Sequence, residues 1–336
     1  MNKNVIALAV AAAMAAPLAA QAEVKISGGL QAEIVSLSGD NVTEGLYMMD
    51  GQEGGNQNSG NWGFLKFSAS EDLGNGMKAL AMYNFNVRAD DGSNGPRDAY
   101  VGLSGNFGTI LAGKMSSPYK ASTVSWDPFL TTSAQARGNY GMSTLHNGYV
   151  SNTVAYANKF GMAKVKAAII LDEAADDADS TETSGDHAFS VSVNVPVGPI
   201  ELALAHHAAD DFGTDVGNPL VVGDETETGD FSASKVGAKY AAGAMSVAAQ
   251  MEMMDYDGDD VDHAYINGTF TAGANTFAVA YGQQDEDATD LTKTYMSVGV
   301  VHAFSKTTTA HLGYIGLDHD DGTDDAGIAA GLRVKF

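Results

Sequence analysis

The densest chemistry-bearing groups in the chain are two acidic runs, Asp255-Tyr256-Asp257-Gly258-Asp259-Asp260 and Asp318-His319-Asp320-Asp321-Gly322-Thr323-Asp324-Asp325. Carboxylates at this density could hold calcium. An EF-hand loop, however, needs Gly at its sixth position and a bidentate Glu at its twelfth, and neither run has that register. Both read as solvated loops. His206 and His207 are adjacent; on a strand they point to opposite faces and cannot share one ion on one side. His146, His263, His302 and His311 are isolated in sequence, and there is no cysteine. No G-x-S-x-G elbow, H-E-x-x-H helix or phosphate-binding P-loop occurs. The residues therefore point away from an enzyme and call for no metal or cofactor.

What remains is charge and its placement. The chain carries 42 Asp plus Glu against 18 Lys plus Arg, a net charge of −24. That balance excludes nucleic acid as a partner, because phosphate attraction needs a basic surface. With 44% hydrophobic residues, the chain is too apolar for acidic disorder. The segments 39–61, 89–96, 172–187, 210–230, 255–262, 283–292 and 317–325 hold 34 of the 42 acidic residues and no Lys or Arg. A soluble acidic protein would scatter its carboxylates, whereas these gather at one end of whatever the intervening elements build.

Those elements read as strands. Hydrophobicity alternates with period two in segments near 23–37, 62–71, 77–88, 98–105, 108–115, 149–157, 163–171, 188–196, 199–208, 232–240, 244–254, 263–271, 275–282, 293–303, 307–316 and 326–336. In the last of these, Ile328, Ala330, Leu332, Val334 and Phe336 take one face, and Arg333 and Lys335 the other. The stretches 241–254 and 293–303 show no clean alternation. Short connections such as Glu71-Asp72-Leu73-Gly74-Asn75-Gly76, Pro196-Val197-Gly198 and Ala272-Gly273-Ala274 suit tight hairpins and alternate with the long acidic ones. Aromatics including Phe67, Tyr83, Tyr281, Tyr295 and Tyr314 fall near strand ends, where interfacial girdles sit. Sixteen antiparallel strands with short turns at one end and long loops at the other fit an all-β transmembrane barrel. Only a helix or a closed barrel satisfies every backbone group in lipid. The N-terminus reads as a signal peptide over 1–22, removed after Ala22: Lys3 is followed by an apolar run from Val5 to about Ala16 and by Ala20-Gln21-Ala22. Residues 23–336 then form a single barrel domain.

The turn Ser70-Glu71-Asp72-Leu73-Gly74-Asn75-Gly76-Met77-Lys78-Ala79, the stretch from Arg97 to Lys114 (RDAYVGLSGNFGTILAGK), the strand Asn152-Thr153-Val154-Ala155-Tyr156 and the terminal Phe336 together resemble the general trimeric porins of Gram-negative bacteria. The resemblance implies a homotrimer in the outer membrane and a third loop, here Ser116 to Gly148, folded inward to narrow the lumen. It also implies Phe336 as the signal for the outer-membrane assembly machinery and contact with lipid and lipopolysaccharide; the acidic runs themselves would offer weak divalent bridging to neighbouring lipopolysaccharide.

In that family, wall cations oppose loop carboxylates at the constriction. Arg97 and Lys114 match family wall residues, Lys66 lies on a lumen-facing parity in a wall strand, and Asp127 and Arg137 are charges on the loop; these five are the expected constriction residues. Phe64 stands where a wall arginine is usual and Gly29 where a basic residue is frequent. Trp126, Phe129 and Tyr140 would form an aromatic slide if the channel were substrate-selective; packing of the loop against the wall is the competing role. The expected function is a water-filled channel for passive diffusion of ions and small hydrophilic solutes, with a mild cation preference set by the acidic mouth. The rival readings are a substrate-selective porin and a secreted acidic β-rich binding or adhesion protein.

Overall fold

The computed structural model describes residues 22–49, 62–137, 141–146, 149–171, 187–212, 229–256 and 258–336. The proposed signal peptide and Tyr140 lie outside the described residues. Seventeen strands form one antiparallel sheet among these residues. In chain order they are β1 (Glu23–Gly39), β2 (Gly45–Met49), β3 (Phe64–Gly74), β4 (Met77–Val87), β5 (Asn94–Gly105), β6 (Gly108–Met115), β7 (Val150–Phe160), β8 (Ala163–Ile170) and β9 (Ala188–Val197). There follow β10 (Ile200–Phe212), β11 (Gly229–Ala242), β12 (Met245–Tyr256), β13 (Asp259–Ala272), β14 (Asn275–Glu286), β15 (Leu291–Ala303), β16 (Thr308–His319) and β17 (Asp324–Lys335). β2 and β3 lie one after the other along the same edge of β1, against residues 33–37 and 23–29 respectively, so the wall is sixteen strands around. On its other edge β1 pairs with β17 from Gly29↔Lys335 to Gly39↔Asp325, which closes the barrel. Phe336 extends this seam by exchanging backbone hydrogen bonds with Gly28.

The short turns follow from glycine. β7–β8, β9–β10, β11–β12 and β13–β14 are each joined by two residues, the first being Gly161, Gly198, Gly243 or Gly273 with φ near +60°. A Cβ there is strained, and glycine at this first central position suits a two-residue hairpin.

The wall is apolar outside and polar inside. Leu202, Leu204, Val236, Ile266, Val279, Val298, Leu312 and Ile328 are exposed on the outer surface. Gln31, Glu33, Ser190, Ser192, Lys235, Gln250, Glu252 and Asn267 are buried on the inner one. This inversion of a soluble protein is the signature of a barrel standing in lipid. The two stretches that looked irregular in sequence obey it. In β12, Met245, Val247, Met251 and Met253 face out while Ala248, Gln250, Glu252 and Met254 face in. In β15, Met296 and Val298 face out, and Tyr295 and Ser297 in. Tyr295 thus leaves the outer girdle: it is fully buried, and its hydroxyl donates to the Ala134 carbonyl on the inward loop. The parity was hidden because small and methionine side chains fill positions on both faces.

The acidic segments 255–262, 283–292 and 317–325, expected as loops, are largely strand: β12 to β17 continue through them to short tips. On the outward side Asp255 pairs with Asp260, Asp262 with Asp285, and Asp318 with Asp324. Like charges opposite each other cost a sheet stability. Beyond the lipid they stand in water, where two charges ~4 Å apart repel by only about 1 kcal/mol. The ladder therefore survives, and the mouth carries a rigid anionic crown.

Candidate functional site

Between β6 and β7 the chain leaves the wall and crosses the lumen. Ser117 starts a short helix, Pro118–Thr123, by accepting a hydrogen bond from the Lys120 amide at 3.1 Å, with Pro118 in the first turn. Asp127 organises the segment that follows. Its carboxylate accepts from the Phe129 amide at 2.9 Å and from the Ala136 amide at 2.8 Å, closing a turn around 127–136. At 4% exposure, Asp127 is a brace inside the loop, its carboxylate held by these backbone donors and lying in the field of Arg137.

The loop is pinned along β1 and β9–β17. Glu33 takes the Ser133 amide at 2.8 Å and pairs with His311 on its other oxygen. Lys235 donates to the Tyr119 carbonyl at 3.1 Å and contacts His146 Nε2 at 2.8 Å. The Tyr119 hydroxyl donates to Glu252 at 2.7 Å, Gln250 donates to the Met142 carbonyl at 2.7 Å, and Asn194 to the Ser122 carbonyl at 3.0 Å. Glycines on the inner wall make the close approach possible. A Cβ at Gly237 would lie 2.7 Å from the Trp126 ring, one at Gly299 2.8 Å from Phe129, and one at Gly282 3.0 Å from the backbone of Gly141. Trp126 and Phe129 are accordingly buried against the wall, in one apolar cluster with Tyr265, Tyr295 and Ile315.

The opposite wall supplies the charges. β5 carries a bulge: Tyr83 pairs with Ala99 but Phe85 with Pro96, so Asn84 faces both Arg97 and Asp98. Simple alternation would send one of these outward. The bulge turns both into the lumen, where Asp98 accepts from Asn84 at 3.2 Å and Arg97 donates to Asn86 at 2.9 Å. Arg137 and Lys120 come from the loop into the field of Arg97 and Asp98. Lys66 stands on the lumen face of β3, opposite Asn84. Of the five expected constriction residues, Arg97 and Arg137 are brought together, Lys66 lies beside them, and Asp127 is inside the loop. Lys114 is not brought to this cluster: it pairs with Ala99, which lines an apolar groove on the outer wall with Phe67, Tyr83 and Val101.

Lys120 and Asp98 were missed. A strand reading sends one neighbour of Arg97 out, and only Ser117-Pro118, a helix-start pair, hinted that Lys120 sits on a helix. Lys120 belongs to the loop and not to a spanning strand. Burial lowers its ammonium to about 7, and the adjacent Arg137 adds repulsion. Burial likewise raises the Asp127 carboxyl, to about 6, against the pull of its two backbone donors. Both groups gain protons as pH falls from 8 to 5, so the constriction becomes more positive. The relative permeability of chloride over potassium is expected to rise about two-fold over this range. In Lys120→Met the part of that rise centred near pH 7 should vanish; its persistence would remove Lys120 from the pore's field.

The chain matches the profile of a Gram-negative porin family over residues 7–325. It is 25% identical to outer membrane porin protein 32 of Delftia acidovorans over 352 residues, covering 100% of this chain and 93% of that protein. It is 33% identical to the major outer membrane protein P.IB of Neisseria gonorrhoeae over 132 residues; that match spans 38% of this chain and only 36% of the neisserial protein. Among solved structures, the anion-selective porin from Comamonas acidovorans superposes with a TM-score of 0.73 at 21% identity, covering 94% of this chain and 100% of that one. The trimer form of OmpT, an outer membrane protein of Vibrio cholerae, gives 0.65 at 17% identity over 94% and 99% of the two chains.

Proposed function

Because the chain belongs to the Gram-negative porin family and is an outer-membrane β-barrel channel protein, not an enzyme, we propose that it passes small hydrophilic solutes by passive diffusion through a constriction that favours anions. The observation that carries this reading is the charge at the narrows. Arg97 and Arg137 meet there with Lys120 and Lys66 near them, while Asp127 is sequestered and Asp98 is the carboxylate beside them. Among the described residues of the inward loop that are not buried, Ser116, Ala121, Val124, Ser125, Pro128, Leu130 and Thr131 are neutral and Arg137 alone is charged.

The mild cation preference expected from the acidic mouth finds no support, and the structurally similar porin from Comamonas acidovorans is anion-selective. That expectation weighed the acidic mouth above the net-basic constriction candidates. Both fields act, at different ranges. The crown works through water, where screening falls from ~30 Å at 0.01 M salt to ~3 Å at 1 M. Partly buried charges at the constriction are screened far less. We therefore expect reversal potentials across a planar bilayer to show cation preference at 10 mM potassium chloride and anion preference at 1 M. Cation preference at both concentrations would overturn the basic constriction. The reading also takes the protein as a homotrimer, made with a signal peptide over 1–22 and delivered through its terminal Phe336.

A further inference from the structure

Lumen-facing positions of a membrane barrel are normally polar, yet Trp62 and Phe64 stand inside, their ring centroids 5.2 Å apart at 85°. Phe64 shares the inward parity of Lys66, opposite to the outward Phe67. The register sets Lys335, Gly29, Phe64 and Asn86 in one row across β17, β1, β3 and β4, each step ~4.8 Å. Trp62 closes over Gly29, where a Cβ would lie 2.4 Å from its ring. Arg333 covers Trp62 at 4.6 Å and Lys335 at 5.5 Å. Arg333 is itself held by Gln31 at 2.8 Å and by Thr131 of the inward loop at 2.9 Å. At the far end of the row Asn86 accepts from Arg97. Packing alone explains an aromatic pair; it does not call for cations on both flanks.

We infer that this patch binds small aromatic carboxylates on their way through the pore. The solute ring stacks on Phe64, which Trp62 holds edge-on, and its carboxylate reaches Arg97 or Lys66. Aromatic faces and cations select a planar anion from others of equal charge, and binding stays weak enough for release, as conduction requires. The inference rests on the channel reading above.

The test is block of the chloride current by benzoate, cyclohexanecarboxylate and acetate in the purified full-length protein. Benzoate is expected to block at least about five-fold more strongly than cyclohexanecarboxylate, which matches it in charge and size but lacks the aromatic face. Phe64→Leu, which keeps apolar volume, should erase that preference, and Arg97→Gln should weaken block by all three. Phe67→Leu, on the outer surface, should change neither. A conducting channel that treats benzoate and cyclohexanecarboxylate alike, or a Phe64→Leu channel that still separates them, overturns the aromatic site and leaves the channel standing. Absence of any conductance overturns both.

Discussion

Lys235→Met is expected to turn a steady channel into one that flickers between conductance levels, with the barrel intact. Lys235 is 3% exposed, and its ammonium ties together two points of the inward loop 27 residues apart, Tyr119 and His146, while standing 3.8 Å over the Tyr119 ring. Methionine fills the volume but removes the ammonium's hydrogen bonds to the Tyr119 carbonyl, which keeps Ser122 Oγ, and to His146 Nε2, which keeps Thr123 Oγ1 at 3.5 Å; hydrogen bonds made by a charged group contribute about 1.5–3 kcal/mol each. A combined loss of about 3 kcal/mol raises the released population of the loop roughly hundredfold, since ~1.4 kcal/mol is tenfold. The ladder from β1 to β17 does not depend on this group. Heat-modifiable migration on a gel should therefore be unchanged. Two readouts follow: open-channel noise should grow, and trypsin should cut after Lys120 or Arg137, which the seated loop protects. A quiet, trypsin-resistant variant would mean that the remaining pins at Glu33, Glu252, Gln250 and Asn194 suffice.

The second large effect concerns selectivity. Neutralising Arg97 and Arg137 together to Gln leaves Asp98 beside the narrows with Lys120 and Lys66 as the nearer cations. A unit charge ~8 Å from a passing ion contributes about 0.5–1 kcal/mol at an effective dielectric between 80 and 40. Two such charges act with opposite sign on anion and cation, so the chloride-to-potassium permeability ratio at 1 M salt is expected to fall roughly tenfold or more. The same double change at Lys114 and Lys159, away from the cluster, should leave the ratio within experimental scatter. If the Arg97/Arg137 variant keeps its ratio, the selecting charges lie elsewhere, Arg333 being the next to test.

The two variants probe features that differ in how far they can be read from the chain. Outward Ile328, Leu332 and Val334 against inward Arg333 follow from alternation alone, and the Gly161, Gly198, Gly243 and Gly273 turns from the need for positive φ. Arg97 was legible through the resemblance of its surrounding stretch. Its partnership with Asp98 was not, because a bulge is a property of two strands in register and leaves no mark in either. The acidic strand ends misled for a related reason: aspartate resists strand formation in isolation, and only neighbours already paired on both sides carry the ladder through Asp260 or Asp318.

By itself, then, the sequence determined the barrel, its sixteen lanes, its lipid-facing side and its anionic mouth, since each rests on patterns within a few residues. Tertiary structure alone decided what the pore presents to a solute. Asp127 became a brace and Lys120 a constriction cation, and Trp126 and Phe129 were turned to the wall. These outcomes depend on contacts such as Glu33 with Ser133, 100 residues apart, and on bare glycines that admit the loop. Separations of that size place side chains only once the barrel has closed around them.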